Sequence, residues 1–530
     1  MLTIIPAAGE GLRFHDFGRR YPKSILPNHG VPILVSNILV VLDQFPDSKI
    51  VVAIGHLGDK IRDTLEAFFP DLVESGQVTT QTIQQSSDFF GPASTIAQVA
   101  LLHPAHDRIL VVLGDVLVEP SARLEDNESY IAASPKPDWS RWCMVKEQNG
   151  FAAALFDKPE KQPPTELAIT GIYFFEDGPR FYESIDALHT EQTSSVERQI
   201  SEFLGPYFEK VRTRVRTDVS VTDFGTLSEY LQNRDLPIGR SFNAFDESQE
   251  GVVRKSCVSR EYSRKIIDEF VWYQCVPDSI RPLLPAIYGT SFGVDGSLPE
   301  YSLERVYAPT LREHLLFFDS SEEFWQGAIS TIFDVLQSFR EAGPACSPRF
   351  LREYAAKFKE RTEQHSVQKL VSPNALEQTL ECYFENVDEV SSLVPDSLFH
   401  GDMTLSNIFY EPSLRRVKLI DPLGSLIGNV VYDLGKLVQC FVYGYDLVDS
   451  ELYVSVEGKF KLYDDGLHPI SDFFDCRLEA FYGMRIRNFV HLLAGMQFMA
   501  LIPLHAHNPS NQKIYAALGQ RAIEASSLLG

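Results

Sequence analysis

The amino-acid sequence predicts an α/β protein of two domains, the first built on a sheet with crossover helices and the second made of two lobes. Up to about residue 235, short apolar runs alternate with amphipathic stretches, which is typical of strands joined by helices. Proline and charged residues cluster at positions 233–240 and indicate a linker. From about residue 320 the pattern is mostly helical. At 530 residues, the chain is also too long for one hydrophobic core.

Four runs in the first domain, residues 1–235, predict strands because they are short, apolar and rich in β-branched residues. They are LTIIPAA at 2–8, KIVVAIG at 49–55, RILVVLGD at 108–115 and LAITGIYFF at 167–175. Apolar residues recur with helical spacing in VPILVSNILVVLDQF at 31–45 and GPASTIAQVALL at 91–102.

The second domain, residues 236–530, begins with strand patterns and continues with helices. The predicted small lobe, at about 240–310, contains a hairpin at 241–258, a helix at 262–276 and extended segments at 283–289 and 301–308. Residues from about 311 to 530 form the predicted helical lobe, which the loop LFHGDMTLSNIFYEP interrupts.

The composition excludes several classes of protein. A formal net charge of -24 argues against nucleic acid as a partner, because phosphate binding depends on an excess of Lys and Arg. The seven cysteines are scattered without a CxxC pair, which argues against a disulfide framework or a zinc site. The sequence contains neither an apolar run long enough to span a membrane nor a signal-peptide pattern. We therefore expect a cytoplasmic protein, and the sequence leaves a homo-oligomer open.

Glycines and basic residues follow the first predicted strand. Gly9 and Gly11 lie where the strand turns into a loop, and without Cβ atoms they let backbone N–H groups approach an anion. Arg13 and Lys23 add positive charge that can stabilise reacting phosphates. A simple turn is the alternative, because a glycine pair alone is a weak signal.

Two aspartates lie where predicted strands end. Asp115 ends an apolar strand, at the edge where ligands bind in open α/β sheets, and Asp223 precedes a predicted helix start. Each can cap a turn. The two can also share one Mg²⁺, which takes one or two carboxylates and leaves positions for phosphate oxygens.

Together these motifs resemble the sugar-1-phosphate nucleotidylyltransferases, in particular the glucose-1-phosphate thymidylyltransferase group. IPAAGEGLR, YPKSILP, LGD, FDKPEKQPPTELAITGIYFFED and TDFGTLSEY occur in the family's order over nearly all of residues 1–235. The resemblance implies a Rossmann-like nucleotidyltransferase domain. In that family a sugar phosphate attacks the α-phosphorus of a nucleoside triphosphate and pyrophosphate leaves.

The same resemblance assigns roles to individual residues. It implies that Gly9, Gly11 and Arg13 hold the triphosphate, Lys23 contacts the reacting phosphates, and Asp115 and Asp223 hold Mg²⁺. It also implies that Gln85 and Gly91 contact the base, and that Lys158, Thr170 and Gly171 hold the sugar phosphate. The choice among CTP, UTP and dTTP stays open.

A second constellation lies in the predicted helical lobe. Asp402 and Asn407 share one loop, and Asp421 follows the apolar run VKLI, which is expected to return beside them. A reacting hydroxyl needs a carboxylate that orients it and takes its proton, and ATP needs acidic and amide oxygens around Mg²⁺. Asp402 suits the first task, and Asn407 and Asp421 suit the second. Capped turns explain each residue singly but not the set.

This second set resembles the aminoglycoside phosphotransferase and choline kinase family, whose fold is like that of protein kinases. The resemblance covers roughly residues 240–530 and implies a bilobal domain that uses ATP and Mg²⁺. It implies that Lys255 contacts the ATP phosphates and pairs with a helix glutamate, for which Glu269 is the first choice and Glu261 the competitor. It places Glu304 near the hinge between the lobes. His400 is expected to brace the catalytic loop and Asp433 to support it.

The two sites predict consecutive reactions in one chain. ATP would phosphorylate a sugar or related hydroxyl compound, and the product would then be coupled to a nucleoside triphosphate. The output would be an NDP-activated precursor for cell-surface polysaccharide. One alternative is a CDP-alcohol made from a choline-like substrate. The other is that one domain is non-catalytic and acts as a ligand sensor or assembly module.

Overall fold

The computed structural model describes the chain in twelve segments. These are residues 1–28, 31–83, 90–104, 106–190, 197–233, 243–246, 251–291, 298–318, 320–342, 349–456, 459–463 and 467–528. The chain forms two compact units. Unit 1 comprises Met1–Leu236 and Val454–Lys459, and unit 2 comprises Pro237–Tyr453 and Phe460–Gly530. Most of the predicted linker, from residue 234 onward, lies outside the described residues.

Unit 1 is built on a nine-stranded mixed sheet in the order β5-β4-β1-β6-β11-β8-β12-β10-β9. Strands β5, β4, β1 and β6 run parallel, whereas β11 is antiparallel to both β6 and β8. The strands are β1 (Leu2–Ala7), β2 (Pro27–Asn28), β3 (Val31–Pro32), β4 (Lys49–Ile54), β5 (Val78–Thr82), β6 (Ile109–Val112), β7 (Val116–Val118), β8 (Tyr130–Pro135), β9 (Cys143–Gln148), β10 (Phe151–Asp157), β11 (Leu167–Phe175), β12 (Arg214–Arg216) and β13 (Val221–Asp223).

The parallel strands of unit 1 are joined by helices, as the alternating pattern predicts. The helices are α1 (His15–Arg20), α2 (Ile33–Gln44), α3 (Gly58–Phe68), α4 (Pro70–Glu74), α5 (Pro92–Leu102), α6 (Gly178–Thr190), α7 (Ser201–Lys210) and α8 (Leu227–Asn233). One core forms where Ile96, Ile185 and Phe203 of α5, α6 and α7 bury apolar side chains with those of the sheet. The α/β prediction for this part of the chain is confirmed.

Unit 2 begins with a four-stranded sheet in the order β14-β15-β17-β16, in which every neighbouring pair is antiparallel. The predicted hairpin and both extended segments contribute to this sheet. The strands after residue 236 are β14 (Asn243–Asp246), β15 (Val252–Cys257), β16 (Ile287–Ser291), β17 (Glu300–Glu304), β18 (Ser397–Leu398), β19 (Ile408–Glu411), β20 (Arg416–Leu419), β21 (Ile427–Gly428), β22 (Tyr453–Val456) and β23 (Lys459–Leu462).

The rest of unit 2 is mainly helical, as the sequence predicts. The helices are α9 (Ser263–Cys275), α10 (Leu311–Phe317), α11 (Glu322–Ala342), α12 (Phe350–Thr362), α13 (His365–Gln368), α14 (Pro373–Leu393), α15 (Val430–Phe441), α16 (Tyr445–Asp449), α17 (His468–Tyr482), α18 (Met484–Leu501) and α19 (Pro509–Ala525). A capping box starts α10: Thr310 Oγ1 accepts from the Glu313 N–H, and Glu313 accepts from the Thr310 N–H.

Within the segments given above, no helix is both long enough and apolar enough to cross a bilayer. The six cysteines in those segments are free thiols. Cys346 lies outside the described residues.

Candidate active sites

Strand pairing brings Asp115 and Asp223 together, although more than a hundred residues separate them in sequence. Asp115 lies between β6 and β7, and β7 pairs with β13 so that Val116 faces Asp223. The Phe224 N–H donates to the Asp115 carbonyl oxygen at 2.8 Å. A Cβ placed on Gly225 would lie 3.1 Å from Asp223 Oδ1 and 3.7 Å from Asp115 Oδ2, so both carboxylates border the same small space.

The two carboxylates differ in their electrostatics. Lys23 Nζ donates to Asp115 Oδ2. Burial raises the pKa of Asp115, but the charges of Lys23 and Arg13 outweigh burial and lower it overall. Burial, together with the negative charge of Asp115, raises the pKa of Asp223 to about 6. Two hard oxygen donors in this arrangement fit Mg²⁺.

The aspartates lie in a cavity of about 900 Å³ in unit 1. It is lined by most of the residues predicted for the first site: Gly9, Gly11, Arg13, Lys23, Gly91, Asp115, Lys158, Thr170, Gly171 and Asp223. Gln85 lies outside the described residues. The cavity therefore joins the predicted phosphate, metal and sugar positions in one space.

The glycine loop after β1 leaves backbone open to this cavity. A Cβ on Gly9 would meet no atom within 4 Å, so the fold does not require glycine there. Gly11 has a φ of 64°, a conformation that favours glycine, and its carbonyl oxygen accepts from the Phe14 N–H at 2.8 Å. The exposed Arg13 follows in a 3₁₀ turn.

Gly91 has a clear structural requirement for glycine. It precedes α5 with a φ of 101°, and an added Cβ would lie 2.7 Å from the carbonyl oxygen and 2.8 Å from the nitrogen of Arg198. The Arg198 N–H donates to the Phe90 carbonyl oxygen at 2.8 Å, which fixes this close approach. Packing therefore accounts for Gly91 independently of any contact with a base.

Thr170 and Gly171, predicted to hold the sugar phosphate, lie where the pairing of two strands deviates from regular geometry. The pairing of β11 with β8 shifts register between Ile169 and Tyr173, and Gly171 within this stretch has a φ of 94°. Such irregularities aim side chains away from the regular pleat. Thr170 is 6% exposed, and its Oγ1 has no hydrogen-bond partner among the described residues. Thr170 lines the cavity, and its hydroxyl is buried and unpaired beside it.

Lys158, the residue after β10, has the left-handed φ of 42°. Its N–H donates to the Trp142 carbonyl oxygen at 2.9 Å, and its Nζ lies 4.0 Å from Glu197 Oε2. Trp142 also lines the cavity, although the sequence analysis did not single it out. The turn at Lys158 thus contributes a cation and, through Trp142, an aromatic ring to the lining of the cavity.

The contrast between the two glycines yields a first prediction. We expect Gly91→Ala to destabilise unit 1 by about 1–3 kcal/mol, because the new Cβ would overlap fixed backbone. Gly9→Ala serves as the matched control and should leave the stability unchanged, because its Cβ would enter open space. Chemical denaturation of both variants checks this, and equal stability of the two would contradict it.

Unit 2 forms a separate charged cluster around Lys255, on β15. Lys255 is 1% exposed, and its Nζ lies 2.6 Å from Glu269 Oε2 and 3.0 Å from Asp421 Oδ1. Tyr301 OH donates to the same Glu269 oxygen at 2.9 Å. Burial disfavours the charged lysine, but the two carboxylates outweigh burial and raise the pKa of Lys255. Of the two candidate glutamates, the structure pairs Glu269 with Lys255, whereas Glu261 is exposed in a 3₁₀ turn.

The β19–β20 hairpin brings Asp421 back to the loop that carries Asp402 and Asn407. Ile408 opposes Leu419 in this hairpin, and the Ile420 N–H donates to the Asn407 carbonyl oxygen at 3.1 Å. Asn407 Nδ2 donates to the Asp402 carbonyl oxygen at 2.8 Å and lies 3.3 Å from Asp402 Oδ2. Asp421 itself has a φ of 59°, unusual for a residue other than glycine. The structure therefore gathers Lys255, Glu269, Asp402, Asn407 and Asp421 within unit 2.

Asp433 supports the loop that carries Asp402 through hydrogen bonds to its backbone. Its two carboxylate oxygens accept from the N–H groups of His400 and Gly401 at 2.8 and 2.7 Å. Asp433 is fully buried, and burial raises its pKa to about 7 against the opposing effect of these hydrogen bonds. His400 is also buried, and its ring packs edge-on to Trp272. Both residues lie where the sequence analysis expects supports for the loop.

Glu304 ends β17 and forms local contacts. Its Oε2 accepts from the Ala286 N–H at 3.0 Å and lies 3.4 Å from Lys418 Nζ. The side chain thus ties β17 to the segment before β16 and to β20. These contacts are compatible with a position between two lobes.

One charged residue beside Asp402 was missed by sequence reasoning. Lys436 Nζ lies 3.7 Å from Asp402 Oδ1, and the Lys436 side chain is 12% exposed. A signal existed, because Lys436 lies one helical turn after Asp433 on α15. A cation therefore faces the carboxylate predicted to accept the substrate proton.

Most of unit 1 matches a known family. Residues 2–236 match the family described as Nucleotidyl transferase, which identifies a nucleotidyltransferase domain there. This domain is similar to glucose-1-phosphate thymidylyltransferase. The example from Neisseria meningitidis serogroup A / serotype 4A (strain DSM 15465 / Z2491) is 22% identical over 187 residues, which are 33% of this chain and 62% of that protein. The chain thus matches less than two thirds of the length of this relative.

Two solved structures of UDP-glucose pyrophosphorylase were also similar to part of the chain. The complex with UDP-glucose has 17% sequence identity and a TM-score of 0.37, covering 44% of this chain and 97% of that chain. The apo form has 18% identity and a TM-score of 0.36, covering 44% and 96%. The family match ends at residue 236, so the kinase-like interpretation of unit 2 depends on its own residues and their geometry.

Proposed function

We propose that unit 1 transfers a nucleoside monophosphate from a nucleoside triphosphate to a sugar phosphate and releases pyrophosphate. The observation that carries this proposal is the convergence of Asp115 and Asp223 in one cavity with Lys23, Arg13 and Lys158. The family match of residues 2–236 supports the same reaction class.

Each group in the cavity has a task in this transfer. The backbone N–H groups of the Gly9–Gly11 loop and the Arg13 guanidinium bind the triphosphate. Lys158 and the Thr170 hydroxyl orient the sugar phosphate so that its oxygen faces the α-phosphorus. Asp115 and Asp223 would hold Mg²⁺, which supplies positive charge to the reacting phosphates. Lys23 offsets negative charge that develops on the departing pyrophosphate.

We propose that unit 2 transfers the γ-phosphoryl group of ATP to a hydroxyl group. The observation that carries this second proposal is that Lys255 contacts both Glu269 and Asp421 while Asp402 and Asn407 share the adjoining loop. In kinases of this kind a lysine held by a helix glutamate positions the ATP phosphates. Asp402 orients the acceptor hydroxyl and takes its proton. Asn407 and Asp421 would hold Mg²⁺, which neutralises phosphate charge.

Together the two reactions convert a sugar or a related hydroxyl compound into an NDP-activated derivative. Such derivatives feed the assembly of cell-surface polysaccharide. Carrying both units on one chain raises the local concentration of the phosphorylated intermediate.

A two-stage assay tests this function. Candidate sugars and related alcohols are first incubated with ATP and Mg²⁺, and ADP is measured. Each product is then incubated with CTP, UTP or dTTP, and pyrophosphate is measured. The proposal requires ADP formation that depends on an acceptor and pyrophosphate release that depends on the phosphorylated product. Absence of either product across the whole panel would contradict the reaction proposed for the corresponding unit.

The raised pKa of Asp223 predicts how metal binding responds to pH. Below about pH 6 the Asp223 carboxyl is protonated and a metal ion must displace the proton, whereas Asp115 stays ionised because its pKa is lowered. We expect Mg²⁺ affinity to fall by up to about tenfold per pH unit below pH 6. Titration calorimetry of unit 1's metal site without substrate measures this.

The variant Asp223→Asn is the control for this titration. It removes the group that titrates near pH 6, so its residual Mg²⁺ affinity should vary less steeply with pH. An equally steep pH dependence in the variant and the parent would assign the titration to another group.

A further inference from the structure

We propose that the hydroxyl acceptor of unit 2 carries an acidic group, a carboxylate or a phosphate, which a basic cluster beside Asp402 recognises. The cluster consists of Lys357 and Arg361 on α12 and Lys436 on α15. This inference rests on the proposed kinase function of unit 2 and names the class of its acceptor.

Lys436 links the cluster to the predicted catalytic base. Its Nζ lies 3.7 Å from Asp402 Oδ1, so a hydroxyl hydrogen-bonded to Asp402 would lie within reach of this cation. The Asp402 carboxylate is itself mostly buried, which limits the screening of this interaction by water. The acceptor therefore binds at a point where positive charge is already present.

Helix packing places α12 alongside the same site. The rings of Tyr354 and Tyr432, from α12 and α15, have centroids 5.2 Å apart, and Phe350 packs on Tyr432 with centroids 5.4 Å apart. Lys357 follows Tyr354 by about one helical turn, and Lys436 follows Tyr432 by one turn. Each lysine therefore lies about one helical turn from a residue of the α12–α15 contact.

The charges of the neighbouring cations act on Lys357. Loss of part of its hydration lowers the pKa of Lys357, and the positive charges of Arg361, Lys436 and Lys265 lower it further. Glu360 acts in the opposite direction but does not compensate. Lys357 is exposed, and it forms no hydrogen bond or ion pair within the described segments. Mutually repelling cations of this kind are stabilised by an anion that binds between them.

A buried hydroxyl adds a polar group near the cluster. Tyr354 is 6% exposed, and its OH has no hydrogen-bond partner among the described residues. Burial raises the pKa of this phenol well above its usual value, and the positive charge of Arg361 acts in the opposite direction without outweighing burial. Tyr354 therefore carries a buried, unpaired hydroxyl at the packing contact between α12 and α15.

This charge distribution selects among the acceptors that the kinase function allows. A quaternary ammonium alcohol would be repelled by Lys357, Arg361 and Lys436, since it needs an acidic or aromatic cage. A neutral sugar would gain nothing from the cations. A sugar acid, a hydroxy acid or a phosphorylated alcohol would be attracted to them and oriented with its hydroxyl toward Asp402.

Two series of compounds, each with one carbon scaffold and three different charges, test the inference. Glycerate, glycerol and 3-amino-1,2-propanediol have similar size but negative, zero and positive charge, and gluconate, glucose and glucosamine repeat the series on a sugar. Binding is measured on the full chain as protection of Lys357 from acetylation by acetic anhydride, followed by mass spectrometry. We expect the two acids to protect Lys357 and the neutral and cationic compounds not to protect it. Equal protection by all three charge types, better protection by the amines, or no protection by either acid would overturn the inference.

Kinetics of two lysine variants complete the test. Lys357→Gln should raise the KM of an acidic acceptor by about tenfold or more, the effect of one lost charge-assisted hydrogen bond, and leave the KM of ATP unchanged. Lys359→Gln, an exposed position on the same helix, is the matched control and should change neither constant. An effect of Lys357→Gln on the KM of ATP alone would assign the cluster to the nucleotide and overturn the inference.

The two experiments separate this inference from the proposed function. Protection of Lys357 by acids without phosphorylation of any acid would contradict the kinase function and leave the anion site standing. Efficient phosphorylation of neutral or cationic acceptors without preference for acids would support the kinase function and overturn the inference.

Discussion

Asp402→Asn should reduce ATP-dependent phosphorylation of the acceptor by about 10²–10⁴-fold, the usual contribution of general-base catalysis. The amide keeps the size of the side chain and can still contact Asn407 and Lys436, but it cannot accept the proton of the reacting hydroxyl. ADP formation with the best acceptor from the two-stage assay measures this effect. Pyrophosphate release by unit 1 should be unaffected, because the substitution lies in unit 2.

Asp388→Asn provides the matched control for Asp402. Asp388 lies on α14 of the same unit, is exposed, and forms an ion pair with Arg352. Loss of an exposed ion pair has little effect on stability, so this variant should retain the rate of phosphorylation. Full activity of Asp402→Asn, or an equal loss in both variants, would remove Asp402 from the proposed mechanism.

Asp223→Asn should reduce pyrophosphate release by about 10²–10³-fold, the range seen when one preorganised electrostatic contact to the reacting group is removed. The carboxylate is one of two that border the space near Gly225, and an amide carries no charge with which to hold the metal. A phosphorylated substrate supplied directly and a coupled pyrophosphate assay measure unit 1 without any contribution from unit 2.

A substitution at Asp218, five residues before Asp223, is the control for Asp223→Asn. Asp218→Asn removes an exposed carboxylate that pairs with Arg216, outside the cavity. Its rate of pyrophosphate release should match the parent. Retention of the full rate by Asp223→Asn would leave Asp115 as the one carboxylate needed and would contradict the shared metal site.

Much of the fold could be predicted because it depends on local periodicity. The runs at 2–8, 49–55 and 108–115 are apolar and short, and they form the parallel strands β1, β4 and β6. The edge region around β9, β10 and β12 was not predicted. Its strands are partly exposed or short, so their apolar content does not separate them from loops.

The sequence could predict which residues form the two sites, but it could not predict which of these residues contact one another. The chemistry of Asp115 and Asp223 was visible in sequence, whereas their meeting depends on the pairing of β7 with β13, two strands of three residues each. Pairing over such a sequence distance is decided by tertiary packing rather than by propensity. The same limit applies to Lys436 and Lys357, because only tertiary packing brings their helices α15 and α12 into contact. Gly91 shows the converse, since a position singled out for ligand contact also satisfies a backbone constraint.

Both units pair a lysine with an aspartate that the mechanism assigns to a metal: Lys23 with Asp115, and Lys255 with Asp421. In each pair the lysine ammonium group already neutralises the carboxylate that would bind the metal ion. A metal ion bound there would compete with the ammonium group for the carboxylate, and a phosphate that enters with the metal would accept the displaced ammonium. We therefore expect each pocket to bind the metal–nucleotide complex more tightly than the metal alone.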